Sequence, residues 1–108
     1  MNFYITFNSN ININLINNKI KGIIANNDNS LIDKYIKKLI NLEYLEFIKN
    51  TKITNDGIKN LINLKFIELI NSSHNFTNFG FKKLYNLKAI GIDINNKITD
   101  NRLINLII

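Results

Sequence analysis

Asn41-Leu42-Glu43-Tyr44-Leu45-Glu46-Phe47 returns as Asn63-Leu64-Lys65-Phe66-Ile67-Glu68-Leu69 and again as Asn86-Leu87-Lys88-Ala89-Ile90-Gly91-Ile92, at offsets of 22 and then 23. A further step of 22 back from Leu42 lands on Ile20-Lys21-Gly22-Ile23-Ile24-Ala25, which keeps the apolar pattern. Between these stretches lies a second aligned set, beginning at Leu31, Ile53, Phe76 and Ile98. The single change from 22 to 23 falls in Ser72-Ser73-His74-Asn75, one residue longer than Asn50-Thr51-Lys52. Self-similarity at a fixed period of this size marks a stacked repeat architecture. The reading is four repeats, at about 20–41, 42–63, 64–86 and 87–108.

Each repeat divides into two halves. In the first, apolar residues alternate (Leu45 and Phe47, Ile67 and Leu69), the two-residue period of a strand with one buried face. In the second, the spacing Ile53, Ile58, Leu61 suits a loop entering a helical turn. Thr54, Thr77 and Thr99 are placed as N-caps, and Asp56 or Asp100 adds negative charge to the first turn. Such a unit cannot bury its own apolar flank and must stack on copies of itself. Asp28, Asn50, Ser72 and Asn95 fall where the chain bends and are read as structural turn residues.

The pattern Leu42-x-x-Leu45-x-Phe47-x-x-Asn50 resembles the leucine-rich repeat family, and Ile20-to-Asp28, Leu64-to-Ser72 and Leu87-to-Asn95 are variants of it. The continuation Ile53-Thr54-Asn55-Asp56-Gly57-Ile58 is similar to the cysteine-containing subtype of F-box ubiquitin-ligase receptors, and to some bacterial leucine-rich repeats, without the cysteines. The resemblance covers residues 20–106. It implies an α/β solenoid, a right-handed β-α superhelix with a short parallel sheet on the concave face and short helices on the convex face. It also implies a partner macromolecule bound on the concave sheet.

Strand residues between the buried ones form three rows across that sheet. They are Gly22, Tyr44, Phe66, Ala89, then Ile24, Glu46, Glu68, Gly91, then Asn26, Ile48, Ile70, Asp93. None is a lysine, in a chain with 14 Lys and Arg, 8 Asp and Glu and a net charge of +6. The expected partner-binding residues are Tyr44, Glu46, Ile48, Phe66, Glu68, Ile70 and Asp93, with apolar contact from the rings and isoleucines and carboxylates selecting a protein partner that carries basic groups. Lys34, Lys37, Lys38, Lys59, Lys82 and Lys83 fall on the helical turns, so the convex side is basic. Two alternatives to a free-standing interaction module are the recognition part of an F-box-type ligase and polyanion binding through those lysines. Nucleic acid is disfavoured by the lone Arg and the lack of interleaved aromatics.

Composition narrows the chemistry. Without cysteine there is no disulfide, thiolate metal site or thiol nucleophile, and one histidine excludes a site needing two. Glu46 and Glu68 would face an open sheet, so no enzyme, cofactor or metal is expected. No apolar run approaches the roughly 20 residues of a membrane span, and no secretory signal opens the chain, so a cytoplasmic protein with no membrane partner is expected. The 23 Asn and 23 Ile, with no Pro, point to an A+T-rich genome.

The ends are read separately. Residues 1–18 depart from the repeat; Phe3, Ile5, Phe7 and then Ile11, Ile13, Leu15 alternate around Asn8-Ser9-Asn10, a β-hairpin that caps repeat one. At the other end the edge of Ile90–Ile94 is expected to lie open after Leu106, which points either to a longer natural chain or to self-association there.

Overall fold

A computed structural model describes residues 4–7, 16–27, 30–49, 52–72, 75–94 and 96–108. The hairpin's second arm at 11–15, the turn residues Asp28, Asn50 and Asn95, and His74 lie outside the described residues.

Five strands alternate with single-turn helices: β1 (Tyr4–Thr6), β2 (Gly22–Asn26), α1 (Asp33–Ile36), β3 (Tyr44–Ile48), α2 (Asn55–Ile58), β4 (Phe66–Leu69), α3 (Asn78–Phe81), β5 (Ala89–Ile92) and α4 (Asn101–Ile104). The strands form one parallel sheet in chain order. Gly22 pairs with Tyr44, Tyr44 with Phe66 and Phe66 with Ala89, so the register of the sheet is the repeat offset of the sequence. In such a register, equivalent residues of successive repeats face the same side. Ile23, Leu45, Ile67 and Ile90 accordingly form one fully buried file. Leu42, Leu64 and Leu87 form another, and Ile36, Ile58, Phe81 and Leu103 bring the helices onto it.

The helices are only four residues long, too short to hold themselves, and two devices fix them. Thr54 and Thr77 cap α2 and α3, their hydroxyls accepting the N–H of Asp56 (3.2 Å) and Phe79 (3.4 Å). The second device crosses repeats. Asp33 accepts the Thr54 N–H at 2.8 Å, Asn55 the Thr77 N–H at 3.1 Å, and Asn78 the Thr99 N–H at 3.0 Å. Each carboxylate or carboxamide lies across the next helix, where Gly57 and Gly80 leave room. A Cβ at Gly57 would stand 2.3 Å from Asp33 Oδ1, and one at Gly80 2.3 Å from Asn55 Oδ1. The fourth repeat has Arg102 at that position, and its helix starts one residue later. Asp100, not the expected Thr99, is the N-cap there, accepting the Arg102 N–H at 2.8 Å, while Thr99 Oγ1 accepts from Asn78 Nδ2 at 2.8 Å.

Strands end on a left-handed residue: Asn27, Lys49 and Asn71 have φ of 58°, 62° and 57° at one repeat position. The N–H of Asn27 goes to the Ile48 carbonyl and that of Lys49 to the Ile70 carbonyl. The fourth position is Ile94, whose β-branched side chain resists that conformation, and it is absent from the positive-φ residues. Among the turn residues, Ser72 is buried, and its hydroxyl donates to the Phe47 and Ile70 carbonyls at 3.4 Å.

Both ends depart from the repeat offset, the first where a hairpin cap is expected and the last where an open edge is. Tyr4–Thr6, the first arm of the expected hairpin, is a parallel edge strand on β2. It pairs Tyr4 with Gly22, a shorter step along the chain than the repeat offset. Phe7 is buried behind it and Ile5 packs on the core. At the far side the edge of β5 is not left bare. Ile107 bridges Ile90, with the Ile90 N–H donating to the Leu106 carbonyl (2.8 Å) and the Ile108 N–H to the Ile90 carbonyl (3.0 Å). The chain thus rejoins the sheet at Ile107, sooner than a full repeat would bring it back. Leu106 and Ile107 lie against the core there.

Candidate functional site

The sheet's outer face carries the three rows in the expected order, because each strand sends alternate residues outward. Its first row is aromatic. Tyr44 and Phe66 stack with centroids 5.1 Å apart and planes 8° from parallel, one strand spacing. Tyr4 joins from β1, 6.0 Å from Tyr44 and tilted by 40°. The link is possible because Gly22 stands between them: a Cβ there would lie 2.3 Å from the Tyr4 ring. Sequence reading missed Tyr4, whose strand does not follow the repeat offset.

The second row holds the charge. Glu46 Oε1 accepts the Tyr44 hydroxyl at 2.9 Å and Oε2 accepts Asn26 Nδ2 at 2.8 Å. The Asn26 bond, helped by the Tyr44 hydroxyl and by Glu68, holds Glu46 below the usual carboxylate range against its partial burial. Burial, with a hydrogen bond to Glu46 and that neighbour's charge, pushes Glu68 up. The two carboxyls therefore titrate apart, Glu46 at lower pH and Glu68 at higher. Partial burial and the Glu46 hydrogen bond push the Tyr44 hydroxyl up to about 12, so it stays a donor. The aliphatic part of Glu68 lies over Gly91, where a Cβ would be 3.1 Å from its Cγ.

Tyr44, Phe66, Glu46 and Glu68 therefore form one joined group, each half-buried, with the half-buried Ile48 and Ile70 beside them. Asp93 is separate. It lies beyond the end of β5, and its Oδ2 accepts the Asn71 N–H at 2.9 Å while its carbonyl accepts from Asn96. The cause is the different path at Ile94: a side-chain oxygen replaces the carbonyl that takes this N–H in the preceding repeats.

On and beside the helical turns Lys34, Lys37, Lys38, Lys82 and Lys83 are exposed. Lys59 pairs with Asp56 at 2.9 Å and lies 5.8 Å from the Phe79 ring centroid. A further polar file runs where the strands begin. Glu43 bridges Lys21 (3.1 Å) and Lys65 (3.0 Å), and these lysines hold its carboxyl below the usual range. With Asn41, Asn63 and Asn86 they line a depression of about 370 Å³. Among the described residues no group of three or more His, Cys, Asp or Glu could hold a metal ion. No helix among them is long and apolar enough to cross a membrane.

No protein family, curated protein or solved structure compared with the chain matches it. What stands is a small α/β fold: a five-stranded parallel sheet alternating with four short helices, repeat-like in its register, among the described residues.

Proposed function

We propose that the chain is a solenoid of the leucine-rich-repeat type and a non-catalytic interaction module, taking a basic segment of a partner protein on its concave sheet. The observation that carries this reading is the pairing of Glu46 with Glu68 beside the stacked Tyr44 and Phe66, on a face free of lysine in a protein of net charge +6. A Lys or Arg from the partner lays its aliphatic stem along Phe66, Ile48 and Ile70 and brings its charge to the two carboxylates. There it offsets the repulsion between the two carboxylates and so favours the ionised form of Glu68. Affinity for a basic peptide consequently strengthens as pH rises from about the ordinary Glu value of 4.5 through the raised value of Glu68.

Selection of random peptides displayed on phage against the immobilised domain tests the reading. Enrichment of Lys and Arg, with capture lost on E46Q/E68Q and on Y44A/F66A, supports it. Peptides lacking basic residues, or capture unchanged by both double substitutions, would refute it.

A further inference from the structure

Ile40, Ile62 and Tyr85 occupy one repeat position, where the helical half hands over to the strand. They are 50%, 51% and 76% exposed, while the preceding Leu39, Leu61 and Leu84 are buried. The row is therefore not frayed core: at these three repeats one apolar residue turns in and the next turns out, whereas in the fourth Leu106 and Ile107 both lie partly buried against the core. Its backbone is fixed across repeats, with Asn63 Nδ2 donating to the Ile40 carbonyl (2.9 Å) and Asn86 Nδ2 to the Ile62 carbonyl (2.8 Å). At the strand spacing of about 4.8 Å, three large apolar side chains stand in line over roughly 10 Å.

Lysines bracket this row. Two residues before it stand Lys38 and Lys83, and three residues after it Glu43, Lys65 and Lys88, with Lys21 at the same register in the first repeat. Glu43, the one carboxylate in these flanking positions, is already paired to Lys21 and Lys65. Arg102 adds its guanidinium 5.2 Å from the Tyr85 ring centroid. Positive charge is thus gathered around a line of exposed hydrocarbon, away from the carboxylates of the concave sheet.

We propose that this rim docks on the surface of an anionic bilayer. Isoleucine and tyrosine enter the boundary between headgroups and acyl chains, and lysines on both sides extend their stems to reach lipid phosphates and carboxylates. The apolar side chains project instead of lining a groove, which suits a soft planar surface better than a folded partner. Isoleucine offers no face on which a nucleic-acid base could stack, so a nucleic acid would use the lysines alone. The row lies outside the strands that carry Glu46 and Glu68.

Cosedimentation with vesicles of phosphatidylcholine containing about a third phosphatidylserine, beside pure phosphatidylcholine vesicles and heparin, tests this. The wild type is expected to bind the anionic vesicles at least tenfold more tightly than the neutral ones. Ile40→Lys with Ile62→Lys separates insertion from simple charge attraction, because the two act in opposite directions. Insertion predicts weaker vesicle binding, by about tenfold, with heparin binding unchanged or tighter. Tyr85→Ser, at the most exposed of the three positions, is expected to weaken vesicle binding a few-fold and leave heparin binding alone. A failure of the wild type to bind anionic vesicles overturns the proposal. So does a lysine variant that binds vesicles and heparin alike more tightly, which would make the rim a general polyanion surface.

Discussion

Asn55 holds Thr77 at both ends of its carboxamide. Its Oδ1 accepts the Thr77 N–H at 3.1 Å, and its Nδ2 donates to Thr77 Oγ1 at 2.8 Å, one repeat along the chain. That threonine is also the N-cap of α3, so one side chain in repeat two fixes the start of a helix in repeat three. The same relation links Asp33 to Thr54, where the carboxylate accepts from both the N–H and the hydroxyl.

Asn55→Ala leaves the half-buried Thr77 N–H without its acceptor and is expected to cost about 1–3 kcal/mol, read from urea unfolding. Asn55→Asp is expected to cost much less. Asp33 already does this work in the preceding repeat, with the threonine hydroxyl turning to donate. A large loss for the Asp variant and none for Ala would reverse the assignment.

Gly80→Ala puts a methyl 2.3 Å from Asn55 Oδ1 and 3.2 Å from Asn55 Cα. Turning the Asn55 side chain relieves the first contact and leaves the backbone contact. A loss of roughly 1–3 kcal/mol is expected for this overpacking. In the Asn55→Ala background the added penalty should shrink, since the oxygen in the way is gone. Equal penalties in both backgrounds would show that the glycine is needed for another reason.

Legibility follows the size of the signal. The core files and the sheet register are readable because large apolar residues recur at the repeat offset, and stacking forces equal positions to equal depths. Glycine at 57 and 80 is visible as a recurrence, but its cause is hidden: nothing in the sequence marks the Asp33 carboxylate against Gly57, and the Asn55 carboxamide against Gly80 does not stand out among 23 Asn. Tyr4–Thr6 alternates as either a hairpin arm or a parallel strand would, and only its partner tells them apart. Asp93 keeps its place in the repeat, yet Ile94 does not follow the left-handed turn of Asn27, Lys49 and Asn71, and the Asp93 carboxylate is drawn into the turn. The exposed row of Ile40, Ile62 and Tyr85 carries the same offset as the core, so apolar recurrence alone does not distinguish it from a buried file.

The stacked pair offers a test of how far the two rings hold one another. Rings 5.1 Å apart and nearly parallel contribute about 0.5–1.5 kcal/mol beyond the area they bury. A double-mutant cycle with Tyr44→Ala and Phe66→Ala should return a coupling energy of that size from denaturant midpoints. A coupling near zero would mean that the rings merely share a face and are free to part when a ligand arrives.

Glu68→Gln bears on the raised titration of Glu68. With its folded pKa raised, Glu68 contributes most below the ordinary value of 4.5; as pH rises through its raised value, that contribution is lost. Glu46 works the other way, being lowered: its contribution is present above that range and fades only as pH falls through its own folded value. Glutamine at 68 can donate to the Glu46 carboxylate at every pH and never takes a charge. The variant is therefore expected to melt at a higher temperature than wild type at pH 7, with the gap closing as the pH falls below about 4.5. Thermal unfolding followed by circular dichroism across that interval measures it. A gap that widened on acidification would mean that Glu68 is not the carboxyl whose titration is raised, and the proposal that a partner's cation settles on this pair would fall with it.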